Sequence, residues 1–198
     1  MLTPENLIRT SDLVIPYRLR AIAFGKTAIS LEKKHTINAV VELKIGVEPK
    51  SEYRGFLGEF TQPLVSCAIF HSRCLLEFLG LTLDKSAKQL NVTASNRARQ
   101  KGDIGIEHFF NRDGVNLQKL TRESAFEILD RADDFDVLTQ AWGETFAAAN
   151  QRLAHLTNDE LLGGKHAGDA FELAFVSIPE LVLRAFYDES GKQRPNIV

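Results

Sequence analysis

Apolar residues recur along this chain with the period of a helix, and strand-like alternation is scarce. The clearest run is Phe56, Phe60, Leu64, Cys67, His71, Cys74 and Phe78, at spacings of 4, 4, 3, 4, 3 and 4. That rhythm places all seven on one face of a helix with 3.6 residues per turn. Thr61 is the expected N-cap, Pro63 suits a first turn, and Gly80 stands where the helix should end. A start before Thr61 would put Pro63 inside the helix as a kink. A second strong run, Leu138, Trp142, Phe146, Ala149, Leu153 and Leu156, predicts a helix over Asp136 to Leu156, with Asp133, Asp134 and Asp136 near the positive end of its dipole. Shorter patterns predict helices over Arg122 to Ala132 and Ala167 to Tyr187, the latter interrupted or restarted at Pro179 after Ser177. A looser one covers Ile15 to Ile45 through Ile22, Ile29, Ile37, Val40, Val41 and Leu43, with Gly25 a break point and Gly46 a stop. Leu81 to Thr121 is polar and glycine-containing, and reads as irregular with one or two short helices. The expected fold is all-α, an up-and-down helical bundle of about five helices with an irregular middle segment.

The length changes little in this picture: 198 residues make one domain, 1–198, at 44% hydrophobic and 25% charged, an ordinary globular composition. The net charge of −2 excludes a chain that is basic all over, but not a local patch. Lys85, Lys88, Arg97, Arg99 and Lys101 form such a patch, with no acid between Lys85 and Lys101. It reads as an exposed, mobile loop acting through long-range field, and RNA binding through it should weaken steeply with salt. The longest run free of Asp, Glu, Lys and Arg is Phe60 to Ser72, 13 residues, below the ~18 that suggest a membrane span. With no leader pattern at the start and two cysteines, the cytoplasm is expected and no membrane partner. Phosphate-binding glycine loops, a GxSxG elbow and an HExxH pair are missing from the sequence, so the common kinase, dehydrogenase and hydrolase classes find no support. No cofactor is expected.

Four groups of residues could carry chemistry. Cys67, His71 and Cys74 have zinc-ligand types on one face, but that face also carries Phe60, Leu64 and Phe78; the reading is core, with His71 buried, hydrogen-bonded and without metal. Arg73 and Glu77, four apart, are either an intrahelical ion pair or the charged edge of a cleft. Asp103 and Glu107 could pair for acid–base work or hold a hard metal, against the reading that loop acids are merely solvated. Arg152 and His155 share a stripe with Glu144, Ala148 and Gln151, off the apolar face of their helix. Arginine offers planar donors to phosphate and histidine can exchange a proton near neutrality; alternatively His155 caps the helix end. Arg73 and Glu77 are the residues expected to face this stripe.

Three blocks, FHSRCLLEFLG (Phe70 to Gly80), Asp103-Ile104 with Glu107 and Phe109, and ANQRLAHLT (Ala149 to Thr157), resemble in order a group of uncharacterised bacterial helical proteins. The helix ending in Ala-His also resembles the HEPN domains (higher eukaryotes and prokaryotes nucleotide-binding). That resemblance implies a helical bundle, often a homodimer, with RNA, a nucleotide or a protein as partner; active members cleave RNA without metal, using an Arg, a polar residue and a His. The family His falls on His155 and the polar residue on Gln151, but Asn150 stands where the Arg is expected. Asn cannot supply the positive charge that stabilises a phosphorane-like transition state, and Arg152 is only three residues before His155. The resemblance therefore implies a degenerate, non-catalytic member; with Arg73 and Glu77 expected to face the stripe, the expected binding residues are Arg73, Glu77, Asn150, Arg152 and His155, and the alternative is a metal-independent RNase using His155 and Arg152.

Overall fold

The computed structural model describes residues 2–44, 46, 51–84, 91–96, 98–131, 134–152 and 165–197. The chain is mostly helical. It begins with a helix the apolar pattern did not announce, α1 (Pro4–Arg9): Thr3 caps it through Oγ1, which accepts from the Asn6 N–H at 3.3 Å, and Pro4 opens the first turn. A π turn (Thr10–Val14) joins it to α2 (Ile15–Lys34). Pro16 accounts for that turn. It has no N–H to give, and the Ile15 N–H goes to the Thr10 carbonyl. The Ser11 carbonyl is thereby left over, and the Tyr187 hydroxyl donates to it at 2.7 Å.

The expected helix to Ile45 ends at Lys34. Val40, Val41 and Leu43 belong instead to a strand, β1 (Val40–Lys44), paired antiparallel with β2 (Ser51–Phe56), Val40 opposite Phe56. A second pair joins β3 (Leu81–Leu83) to β4 (Val92–Ala94), Leu81 opposite Ala94. These two hairpin-like pairs correct the all-α expectation: β-branched residues find a cross-strand partner that periodicity does not reveal.

Between the pairs runs α3 (Leu57–Leu79), five residues longer at its start than a cap at Thr61 implied. Its cap is made by Glu59, whose carboxylate reaches back to the Phe56 N–H at 3.0 Å. Thr61 is fully buried and gives its hydroxyl to the Leu57 carbonyl and to Glu32. Gly80 ends the helix at φ 95, as its position suggested. The buried face of α3 is Ala68, Ile69, Leu75, Leu76 and Leu79, flanking the expected stripe, of which His71 and Phe78 are buried and Phe56 is exposed.

The irregular middle holds a 3-10 turn (Ile106–His108), then α4 (Arg122–Leu129), α5 (Phe135–Ala147) continued by a π turn (Ala148–Arg152), and α6 (Lys165–Val182) continued by a π turn (Leu183–Asp188). Leu138, Trp142, Phe146 and Ala149 are buried as their spacing implied; Leu153 and Leu156 lie outside the described residues. Pro179 sits within α6. Phe78, Phe109 and Phe186 pack edge to face at 4.8–5.9 Å, tying the end of α3 to the last turn of the chain.

The crossing of α2 and α3 is close. Gly25, far from splitting its helix, is buried, and a Cβ there would lie 2.2 Å from the Ala68 Cβ and 3.3 Å from the Leu64 carbonyl oxygen. Gly25→Ala should therefore destabilise the chain by about 1–3 kcal/mol, the cost of overpacking, even though alanine is the better helix former. Ala68→Gly in that background should recover part of the loss, read as a shift of the urea midpoint. A fully additive pair would show that the two helices do not meet there.

Candidate functional site

The second turn of α2 and the C-terminal half of α3 are held together by a bond that needs both sequences. Arg18 points from α2 to His71 on α3, and its Nη1 lies 2.9 Å from the imidazole Nδ1. A guanidinium can only donate, so Nδ1 accepts and carries no proton. Burial holds the His71 pKa below the ordinary histidine value, and the Arg18 charge lowers it further. Tyr17 and Phe70 set their rings edge-on to the imidazole at 5.3 and 5.5 Å. The expectation that His71 is buried and hydrogen-bonded holds.

A proton on His71 would be lost from the folded chain and kept by the unfolded one. Between the unfolded value near 6.5 and the lower folded value, the unfolded chain binds more protons, so stability rises with pH and falls as pH drops. His71→Gln, whose Oε1 can still accept from Arg18, should flatten the decline of the melting temperature as pH falls below about 6.5. An unchanged slope would show that His71 does not carry it.

Arg18 also lines a cleft of about 390 Å³ at the C-terminal end of α3, within the range of small-ligand sites. Arg73, Cys74 and Glu77 come from α3, Thr82 from β3, and Arg99 and Asp103 from the segment after β4. Arg73 donates to Glu77 Oε1 twice, from Nε at 3.2 Å and Nη2 at 3.0 Å, on a half-exposed helix edge. Both readings of that pair hold: it is an intrahelical ion pair and it edges a cleft. Burial pushes the Cys74 thiol pKa up, so it is a neutral wall.

Arg99 is the residue the sequence placed worst. Expected in a mobile loop, it is half-buried and makes four hydrogen bonds: Nη1 and Nη2 donate to the Glu77 and Phe78 carbonyls at 2.8 and 3.1 Å, and Nε and Nη2 to the two oxygens of Glu107 at 2.9 and 3.1 Å. It thus satisfies the Phe78 carbonyl, which the end of α3 leaves open, and is a second donor to the Glu77 carbonyl, which also accepts from the Gly80 N–H at 3.1 Å. Gly105 is required beside it, since a Cβ would lie 2.0 Å from Arg99 Nη2. Burial would raise the Glu107 pKa, but the Arg99 bonds, a backbone N–H and the charges of Arg99 and Lys119 hold it below the usual value. Glu107 is therefore committed to structure, while Asp103 lines the cleft and accepts from the Gln100 N–H at 2.9 Å. The two acids do not form a pair. Lys85, Lys88 and Arg97 lie outside the described residues.

The cleft sets three arginines against two carboxylates, Glu77 and Asp103. Arg73 and Arg99 face acids, whereas Arg18 faces a neutral imidazole and pairs with no carboxylate among the described residues. With Glu107 behind Arg99 counted, three carboxylates stand against the three arginines; what suits an oxyanion is Arg18, whose planar donors are not spent on an acid. Of the remaining expected site residues, Asn150 is half-buried in the turn after α5 and does not line the cleft. His155 and the side chain of Arg152 lie outside the described residues, so the expected meeting with Arg73 and Glu77 falls there too. Arg18 is the residue that the sequence reading missed. One signal for it exists: Leu13 to Leu31 contains no acid, so no carboxylate within that helical stretch can neutralise its arginines.

Among the described residues no group of three or more His, Cys, Asp and Glu could hold a metal ion, and no helix is long and apolar enough to cross a membrane. No protein-family model, curated protein or solved structure matches the chain.

Proposed function

We propose that this chain is a HEPN-like up-and-down bundle that acts in the cytoplasm as a binding protein without catalysis, and that its arginine cleft takes an anionic ligand, the phosphate of a nucleotide or of RNA. One observation carries the reading: Arg18 lines the cleft with a guanidinium that makes no ion pair with a carboxylate among the described residues. Glu77 acts as a resident anion, holding Arg73 until a ligand competes for it. The Asn at position 150, where an active site of the resembled kind wants Arg, supports binding over turnover.

Isothermal titration calorimetry with inorganic phosphate, adenosine monophosphate and a short RNA tests this. Arg18→Gln should weaken binding by about tenfold or more, equivalent to ~1.4 kcal/mol. Glu77→Gln should tighten it, because the competing carboxylate is gone. Equal affinity in all three proteins, or no heat with any anion, would remove the cleft from the account. The same RNA, recovered and sized after incubation, separates binding from cleavage; cleavage abolished by His155→Ala would replace this reading with an RNase.

A further inference from the structure

Leu13, Tyr17, Arg20, Phe24 and Thr27 succeed one another at spacings of 4, 3, 4 and 3 along the first helical rod, and all five are exposed. Three of them are large and apolar, with 62%, 56% and 60% of Leu13, Tyr17 and Phe24 open to solvent. A stripe of that kind on one helix face is a contact surface in waiting. Two hollows flank Phe24. One, about 230 Å³, lies against α3 between Ala21, Leu64 and Cys67. The other, about 590 Å³, runs along Ala23, Thr27 and Ser30 to Ile197 of the C-terminal segment. Arg20 and Phe24 border both, and Ala21 and Ala23 keep the floors low enough to admit side chains from outside.

The charge around the stripe has one sign. Arg20 and Lys26 rim the hollows and pair with no carboxylate among the described residues. The neighbouring ionic groups are already engaged: Lys33 with Asp169 and Glu172, and Asp12 with Lys192. We infer that this face docks an amphipathic helix of a partner protein, one that carries apolar side chains a helical turn apart with acidic residues beside them. The apolar residues fill the hollows on either side of Phe24, and the acids meet Arg20 and Lys26. A second copy of the chain fits less well, because self-pairing of the stripe sets Arg20 and Lys26 against their own kind. The inference uses none of the side chains that line the arginine cleft, so the two readings fail separately.

The test is fluorescence anisotropy with a labelled synthetic peptide of about 16 residues, long enough to form a helix on contact, bearing leucines at 3- and 4-residue spacing flanked by glutamates. Controls are its scrambled form, a version with lysine for glutamate, and a labelled oligouridylate. The glutamate peptide should bind and the scrambled and lysine forms should not. Phe24→Asp should weaken it at least about tenfold, as loss of an aromatic anchor does, with the circular dichroism spectrum unchanged. Arg20→Glu with Lys26→Glu should reverse the preference toward the lysine peptide. Three results would overturn the inference: no binding of the glutamate peptide or equal binding by Phe24→Asp, oligouridylate binding that Phe24→Asp abolishes, or dimers in sedimentation that Phe24→Asp dissolves. Phosphate titrations of the same variants should match the unaltered protein, since Phe24, Arg20 and Lys26 do not line the arginine cleft.

Discussion

Trp142→Ala should cost the folded chain about 3–5 kcal/mol, the range for truncating a buried aromatic side chain. Trp142 is 0% exposed, stacks on Phe126 at 5.5 Å with the rings 15° apart, and donates from Nε1 to Ser177 Oγ at 2.9 Å. Alanine removes the largest plug between α5 and α6 and leaves a void that rigid neighbours cannot close. Trp142→Phe isolates the polar part. Ser177 keeps its bond to the Leu173 carbonyl, so the hydroxyl is not orphaned and the loss should fall to about 1 kcal/mol plus a packing term. Urea unfolding followed by circular dichroism decides it. An alanine variant within ~1 kcal/mol of the parent would mean that the core is not built around this ring.

Arg99→Met should cost about 2–3 kcal/mol, less than the ~3–5 of a fully buried pair, because both partners keep about a fifth of their side-chain surface in water. Methionine keeps the packing of the stem but leaves Glu107 with Lys119 at 3.6 Å as its nearest cation, uncovers the Phe78 carbonyl and leaves the Glu77 carbonyl only the Gly80 N–H. Glu107→Gln in the Arg99→Met background should restore part of the loss by discharging the stranded carboxylate. The acid limb offers an independent readout. With a folded pKa held below 4.5, Glu107 adds stability above that value and gives it up as pH falls toward the folded one. Arg99→Met should flatten this decline in stability below about pH 4.5. Stability unchanged at neutral pH would show that Arg99 is not part of the frame.

What the sequence shows well is what local periodicity encodes. The buried Leu138–Trp142–Phe146 face, the Gly80 stop and the Arg73–Glu77 pair each depend on neighbours within four residues or so. What it hides depends on partners far along the chain. Val40 and Val41 carry helix-compatible spacing until Ser51–Phe56 pairs with them. The start of α3 was misplaced because Thr61, a good cap by type, is drawn into the interior by Glu32, while Glu59 caps from inside the helix. The cleft shows the same division. Arg73 and Glu77 were visible as a pair, but Arg18 reaches His71 across 53 residues and Arg99 reaches α3 across more than 20. Positive charge in a polar, pattern-free segment reads as solvated when nothing local binds it, and Arg99 is bound by groups that are not local.

The bond from the Tyr187 hydroxyl to the Ser11 carbonyl joins residues 176 apart in the chain. It closes the one backbone acceptor that Pro16 leaves open in the first helical rod. During synthesis the rod is made 176 residues before its seal. Until residue 187 has emerged the growing chain carries an open Ser11 carbonyl, although α3, complete at Leu79, can already lie against α2. Contacts of that sequence separation slow folding, and the rod is most open to proteases and chaperones before they form.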